Sequence, residues 1–138
     1  MTDGLPPVKR WQDVKLVFLD PPYWRQAKNE YSKDAEDLAN MSLEDFTSTL
    51  AAVINGFAKK LSSGAVIALM ISPTQWRDDG RKFADHLLDV ARLVKLPVDM
   101  RIQAPYECSQ CEPQQVNWAK EHHTVLVLGR EIVIWRCT

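Results

Sequence analysis

Val17-Phe18-Leu19-Asp20-Pro21-Pro22-Tyr23-Trp24 closes an apolar run with an acid, two prolines and two aromatic residues. This order of parts builds a flat, rigid slot where a strand ends. A carboxylate accepts from a proton-bearing donor, each proline holds its φ at about −65° and contributes a carbonyl but no N–H, and an aromatic face stacks on a planar ligand. The same residues also make ordinary turns, since the residue before a proline is pushed towards extended conformations. Position separates the two readings. In open α/β sheets, ligands bind outside the carboxyl ends of parallel strands, which is where this cluster falls if its strand is parallel. A planar ligand that presents an amine donor is a nucleobase.

The pattern on either side of this stretch predicts an α/β domain. Residues 1–13, with Gly4, Pro6 and Pro7, read as a mobile lead-in. Lys15 to Leu19 is apolar at nearly every position after the first, as buried parallel strands are. From Trp24 to Asn40 the chain is polar and without clear period, a loop long enough to close over a ligand. Ser42 is a good N-cap, with Glu44 and Asp45 in the first turn where acids complement the helix dipole. Leu43, Phe46, Leu50, Val53, Ile54, Phe57 and Leu61 then recur at helical spacing. Ala65 to Ser72 reads as a second apolar strand stopped by Pro73, and Phe83, Leu87, Val90, Ala91 and Val94 mark a second amphipathic helix. Val98 to Ala104 is a third strand, and a short helix is expected near Asn117 to Glu121. Thr124 to Leu128 and Glu131 to Trp135, separated by Gly129-Arg130, carry the two-residue signal of a type II′ hairpin. Strands alternating with helices predict parallel pairing through right-handed crossovers.

With 138 residues, 46% hydrophobic and 25% charged, the chain is expected to form one domain over residues 1–138 with a core that needs no staples. A net charge of −1 excludes a generic polyanion binder, so any affinity for nucleic acid must come from a local patch. Such a patch is present in the sequence: Lys9, Arg10, Lys15, Arg25, Lys28 and Lys33 stand against Asp13, Asp20 and Glu30, and the next stretch, Asp34 to Asp45, holds only acids. No apolar run reaches the roughly 18 residues of a membrane span and no signal-peptide pattern opens the chain, which predicts a cytoplasmic protein without a membrane partner. Three cysteines, an odd number, agree with a reducing compartment.

Asp20-Pro21-Pro22-Tyr23 resembles the catalytic signature of the S-adenosylmethionine-dependent amino-methyltransferases of DNA, which methylate the exocyclic amine of adenine or cytosine. The resemblance extends to Glu36 through Glu44, to Leu61-Ser62-Ser63-Gly64, to Ser72-Pro73-Thr74-Gln75-Trp76 and to the closing Arg130 through Trp135. It implies a partial Rossmann-like methyltransferase sheet, about three parallel strands plus a C-terminal hairpin, flanked by helices. It also implies that Asp20 and the carbonyl of Pro21 accept the two amino hydrogens, that Pro22 stiffens the turn and that Tyr23 stacks on a base flipped from the duplex. Around this slot Arg25 and Lys28, with Tyr31 on the same loop, are the candidates for contact with nucleic acid. Trp24 is either a second stacking wall or a cap on the apolar edge of the sheet. Gln114 and Gln115 sit where the resemblance places polar residues near the active face.

The cofactor this resemblance implies is S-adenosylmethionine, and its binding residues are not recognisable in the chain. Dinucleotide-type sites use a glycine-rich turn after a first strand. Gly4, Gly56, Gly64, Gly80 and Gly129 are too far apart to make one. The sequence therefore reads as a catalytic half whose partners are DNA and either a second copy of itself or a second polypeptide that supplies the cofactor half. The alternative is a catalytically inactive remnant that binds nucleic acid or protein. Cys108-Ser-Gln-Cys111 with His122 and His123 offers zinc-ligand residue types, but adjacent histidines diverge and leave at most three ligands. Free thiols are expected there, and no metal site.

Overall fold

The computed structural model describes residues 9–25, 34, 36–75, 83–107 and 112–138. Its elements in chain order are β1 (Leu16–Leu19), α1 (Leu43–Ala58), β2 (Val66–Ile71), β3 (Thr74–Gln75), β4 (Phe83–Ala84), α2 (His86–Leu93), β5 (Val98–Pro105), α3 (Pro113–Glu121) and β6 (Gly129–Arg136). The main sheet has four strands in the order β1-β2-β6-β5, and β3 with β4 forms a separate two-stranded pair. β1 and β2 pair in parallel, with Leu16 opposite Val66 and Leu19 opposite Leu69. β6 runs antiparallel to both β2 and β5. Three strands, β1, β2 and β5, therefore point the same way, and β6 is inserted between the second and third of them.

The helices form for local reasons that the chain states plainly. Ser42 caps α1 by accepting from the Asp45 N–H, and Asp85 caps α2 by accepting from the Leu88 N–H. Phe46, Leu50, Ile54 and Phe57 of α1 and Leu87 and Val90 of α2 share one buried cluster with Ile67, Leu69, Ile71, Val133 and Trp135 of the sheet. Because side chains alternate along a strand, the same register turns Phe18, Ala68, Ile134 and Met100 to the opposite face. That face is open among the described residues: Phe18 is 51% and Met100 53% exposed, with Leu16 and Ile102 beside them.

The structure departs from the sequence reading at several places. β1 is an edge strand with one open face rather than a buried central one, since its only strand partner among the described residues is β2. The expected lead-in ends before Trp11, because Trp11–Asp13 forms a 3₁₀ turn and the Trp11 ring packs on Phe57 at 5.7 Å. The second helix starts at His86 rather than at Phe83, because Phe83 and Ala84 pair with Gln75 and Thr74 as β4 and Asp85 caps the turn that follows. The hairpin expected at Gly129-Arg130 does not form there. Gly129 and Arg130 are the first residues of β6, in register with Pro105 and Ala104, so the antiparallel pair is β5 with β6 across a long connection that contains α3. Residues 124–128 are no strand, and the side chain of Gln75 serves part of their backbone instead: its amide donates to the Val125 carbonyl at 2.8 Å and accepts from the Val127 N–H at 2.8 Å. A Cβ on Gly129 would stand 3.3 Å from the Ala104 carbonyl oxygen, which explains a glycine there without a turn.

Among the described residues no helix is long and apolar enough to cross a membrane. Trp135 is fully buried at the centre of the sheet. Trp135→Ala should destabilise the domain by about 3–5 kcal/mol, the usual cost of emptying a large aromatic site. A urea midpoint that does not move would show that the core does not close around this ring.

Candidate active site

β1 delivers Asp20 at its carboxyl end, beside the carboxyl end of the parallel β2, and the two prolines carry the chain across that end of the sheet. Asp20, Pro21, Pro22 and Tyr23 line a cleft of about 350 Å3 together with Arg130. The Tyr23 hydroxyl donates to Asp20 Oδ1 at 3.2 Å. Among the described residues nothing else is hydrogen-bonded to the Asp20 carboxylate, and no group donates to the Pro21 carbonyl. Two acceptors are therefore left for a ligand at the end of one strand, with an aromatic ring beside them.

The segment after the slot is anchored through Trp24, which is only 7% exposed. Its indole N–H donates to the Met41 carbonyl at 2.8 Å, and its backbone carbonyl accepts from the Thr74 hydroxyl at 3.3 Å. Thr74 is also hydrogen-bonded to the buried His86 at 2.7 Å, whose ring meets Trp24 and Phe46 edge-on. With Thr74 donating to Trp24, the imidazole N–H donates to Thr74. Trp24 is thus the cap on the apolar edge, and its assignment as a stacking wall for nucleic acid is corrected: its ring and its N–H serve the core. Arg25 adopts a positive φ of 61°, its N–H donates to the Ala39 carbonyl, and its guanidinium lies over the Trp24 ring at 5.3 Å. Lys28 and Tyr31 lie outside the described residues, as do Cys108 and Cys111. His122 is stacked on Trp118 with ring centroids 4.8 Å apart.

Sequence reasoning missed Arg130 and Tyr106. Arg130 is the second residue of β6, and because β6 is antiparallel to β2 its starting end lies at the carboxyl ends of β1 and β2. The guanidinium carbon sits 5.8 Å from the centre of the Tyr23 ring and 5.7 Å from that of Tyr106. Tyr106 in turn is 3.0 Å from the Ser72 hydroxyl, and Ser72 donates to the Gly129 carbonyl. Ser72, Tyr106 and Gln115 border an adjoining cleft of about 340 Å3, so the structure places Gln115 near this end of the sheet; Gln114 does not line that cleft, and both side chains are exposed. The available signal was a cation directly after the glycine that opens the last strand, a pair that the hairpin reading places in a turn.

Burial first, and then the charge of Asp20, push the Tyr23 phenol up to about 12, with Arg130 acting in the opposite direction. The phenol therefore stays a donor to Asp20 across the neutral range. Its contribution to stability is complete below the ordinary tyrosine value of 10.0 and is lost as pH rises towards about 12, because the folded state then holds the proton that the unfolded state has released. In a tyrosinate absorbance titration, one tyrosine should ionise near pH 12, Tyr23→Phe should remove that step, and Asp20→Asn should lower it. A step that survives in Tyr23→Phe belongs to another residue and refutes the assignment.

No family model matches the sequence, and no curated protein matches it. Solved structures do, and two of them are informative. Both are of TTHA0409 from Thermus thermophilus, provisionally named a DNA modification methylase; one is a selenomethionine derivative and the other a complex with S-adenosyl-L-methionine. They match at TM-scores of 0.59 and 0.60 and 17% identity, covering 92% of this chain and 46% of the other. The chain thus spans less than half the length of these structures. At that identity the likeness is one of fold: helices against a mixed sheet, arranged as in a methyltransferase.

Proposed function

We propose that this chain is the catalytic half of an S-adenosylmethionine-dependent DNA methyltransferase acting on the exocyclic amine of adenine or cytosine. The observation that carries the reading is the pair of acceptors left at the end of β1, the Asp20 carboxylate and the Pro21 carbonyl, beside the Tyr23 ring in an open cleft. An amine on a base is a poor nucleophile because its lone pair is delocalised into the ring. Acceptors for both amino hydrogens favour a tetrahedral nitrogen whose lone pair points away from the ring, and holding them in place is catalysis by positioning and electrostatics. Tyr23 stacks on the base after it has left the duplex. Arg25, Lys28 and Tyr31 remain candidates for contact with the DNA backbone.

Among the described residues no glycine-rich turn offers the donor a site. Of the glycines described, Gly56 lies within α1, Gly64 makes a turn at φ 81° and Gly129 lies within β6, so none forms a cradle for a nucleotide-like group. The part assigned to this chain ends at binding the base and holding its amine. A second unit completes the enzyme in this reading, supplied by another copy, a second polypeptide or further chain. The edge of β1 and the open apolar face around Phe18 and Met100 support such a unit, as does the TTHA0409 complex with S-adenosyl-L-methionine, of whose chain this one covers less than half. The cytoplasm, where DNA and free thiols coexist, is the proposed compartment.

Transfer of a labelled methyl group from S-adenosylmethionine to DNA tests the reading, with the chain alone and mixed with a polypeptide bearing a glycine-rich strand-turn. Activity should appear in the mixture, and Asp20→Ala should lower it about a hundredfold or more, the scale on which one preorganised polar group acts, while the circular dichroism spectrum is unchanged. An unchanged rate removes Asp20 from the chemistry. Retention of DNA with no methyl transfer in any mixture would favour the inactive binding module.

A further inference from the structure

We propose that Arg130 is the anion-binding residue of the cleft and that it takes the phosphate of the nucleotide whose base enters against Tyr23. This rests on the reading of the cleft as a base slot. Arg130 shares that cleft with Asp20, Pro21, Pro22 and Tyr23, and its guanidinium lies over both the Tyr23 and the Tyr106 rings. Two aromatic faces hold the side chain without neutralising it. No carboxylate forms an ion pair with it among the described residues, although the next residue, Glu131, pairs with Arg101 on the helix-covered face. Its Nε is buried and has no hydrogen-bond partner among the described residues. A buried donor without a partner is costly, and a guanidinium presents its N–H groups as a planar fork that matches phosphate oxygens.

The geometry also selects the source of the anion. Arg130 and the two acceptors for the amine line one cleft of about 350 Å3, a volume in the range of single small-molecule sites. A ligand that fills it with a planar amine carries its charge on the sugar-phosphate attached to that same base. The Tyr106 ring, 5.7 Å from the guanidinium carbon and hydrogen-bonded through its hydroxyl to Ser72, backs the fork from one side. Arg130 thereby ties recognition of the base to recognition of its backbone.

Binding of a short single-stranded deoxyoligonucleotide, followed by tryptophan and tyrosine fluorescence at several salt concentrations, tests this with wild type, Arg130→Gln and Arg130→Lys. Arg130→Gln should weaken binding about tenfold, and should lower the slope of log affinity against log salt by about 0.7, the contribution of one phosphate on a single strand. Arg130→Lys should recover the slope, because the charge returns. Circular dichroism spectra of the variants should match wild type, so that a lost slope is not a lost fold. Deoxyadenosine and deoxycytidine, which lack the phosphate, should bind wild type and Arg130→Gln alike. An unchanged salt slope in Arg130→Gln overturns the proposal. So does a selective loss of S-adenosylmethionine binding, which would assign the guanidinium to the donor's carboxylate. If neither nucleoside binds while the Arg130-dependent slope persists, the base slot fails and the phosphate contact stands.

Discussion

The parallel pairing of Leu16–Leu19 with Val66–Leu69 is the constraint on which the rest of the molecule depends. Two parallel strands cannot be joined by a tight turn, so the chain between them must cross over, and it does so as α1. That helix covers one face of the sheet and leaves the other open. The pairing also fixes where β1 stops, beside the carboxyl end of β2, and so fixes where an acid and two prolines must stand. A shift of the register by one residue would turn Val17 and Leu19 away from the core and present Leu16 and Phe18 to the helices.

Everything at the site is held from behind. Trp24 is buried by His86 and by the Met41 and Thr74 hydrogen bonds, so the four residues from Asp20 to Tyr23 are strung between a strand and an anchored ring. Such a span keeps its acceptors in place without packing them inside the protein. The same logic acts from the opposite side, where antiparallel β6 enters the sheet with Arg130 and Ser72 secures Tyr106. The cleft is thus walled by residues about a hundred positions apart in the chain.

The architecture is lopsided in a way that the two-layer logic of domains makes meaningful. One face of the sheet is sealed by α1 and α2, and the other presents Phe18, Met100 and Ile102. An apolar face of this kind is unfavourable in water, and a unit laid upon it would bury it and continue the sheet beyond β1 at the same time. The site and the open face adjoin, since both belong to β1.

Residue order alone determined the α/β class, the positions of α1 and β2, the cap at Ser42 and the slot-forming Asp20-Pro21-Pro22-Tyr23, because each is written in contiguous residues whose local physics is strong: helical period, capping oxygen, proline geometry. It also disclosed the lack of a glycine-rich turn, a matter of spacing. It misread Gly129-Arg130, since a turn and the start of a strand that closely approaches a neighbour both favour glycine, and only the register with Pro105 and Ala104 separates them. It left Trp24 between two roles, because the burial of that ring depends on Met41, Thr74 and His86. Tertiary structure alone decided that β1 is an edge, that Gln75 replaces a strand partner for residues 124–128, and that Arg130 and Tyr106 join the slot. These are meetings between distant segments, set by the antiparallel insertion of β6, and no local pattern encodes them.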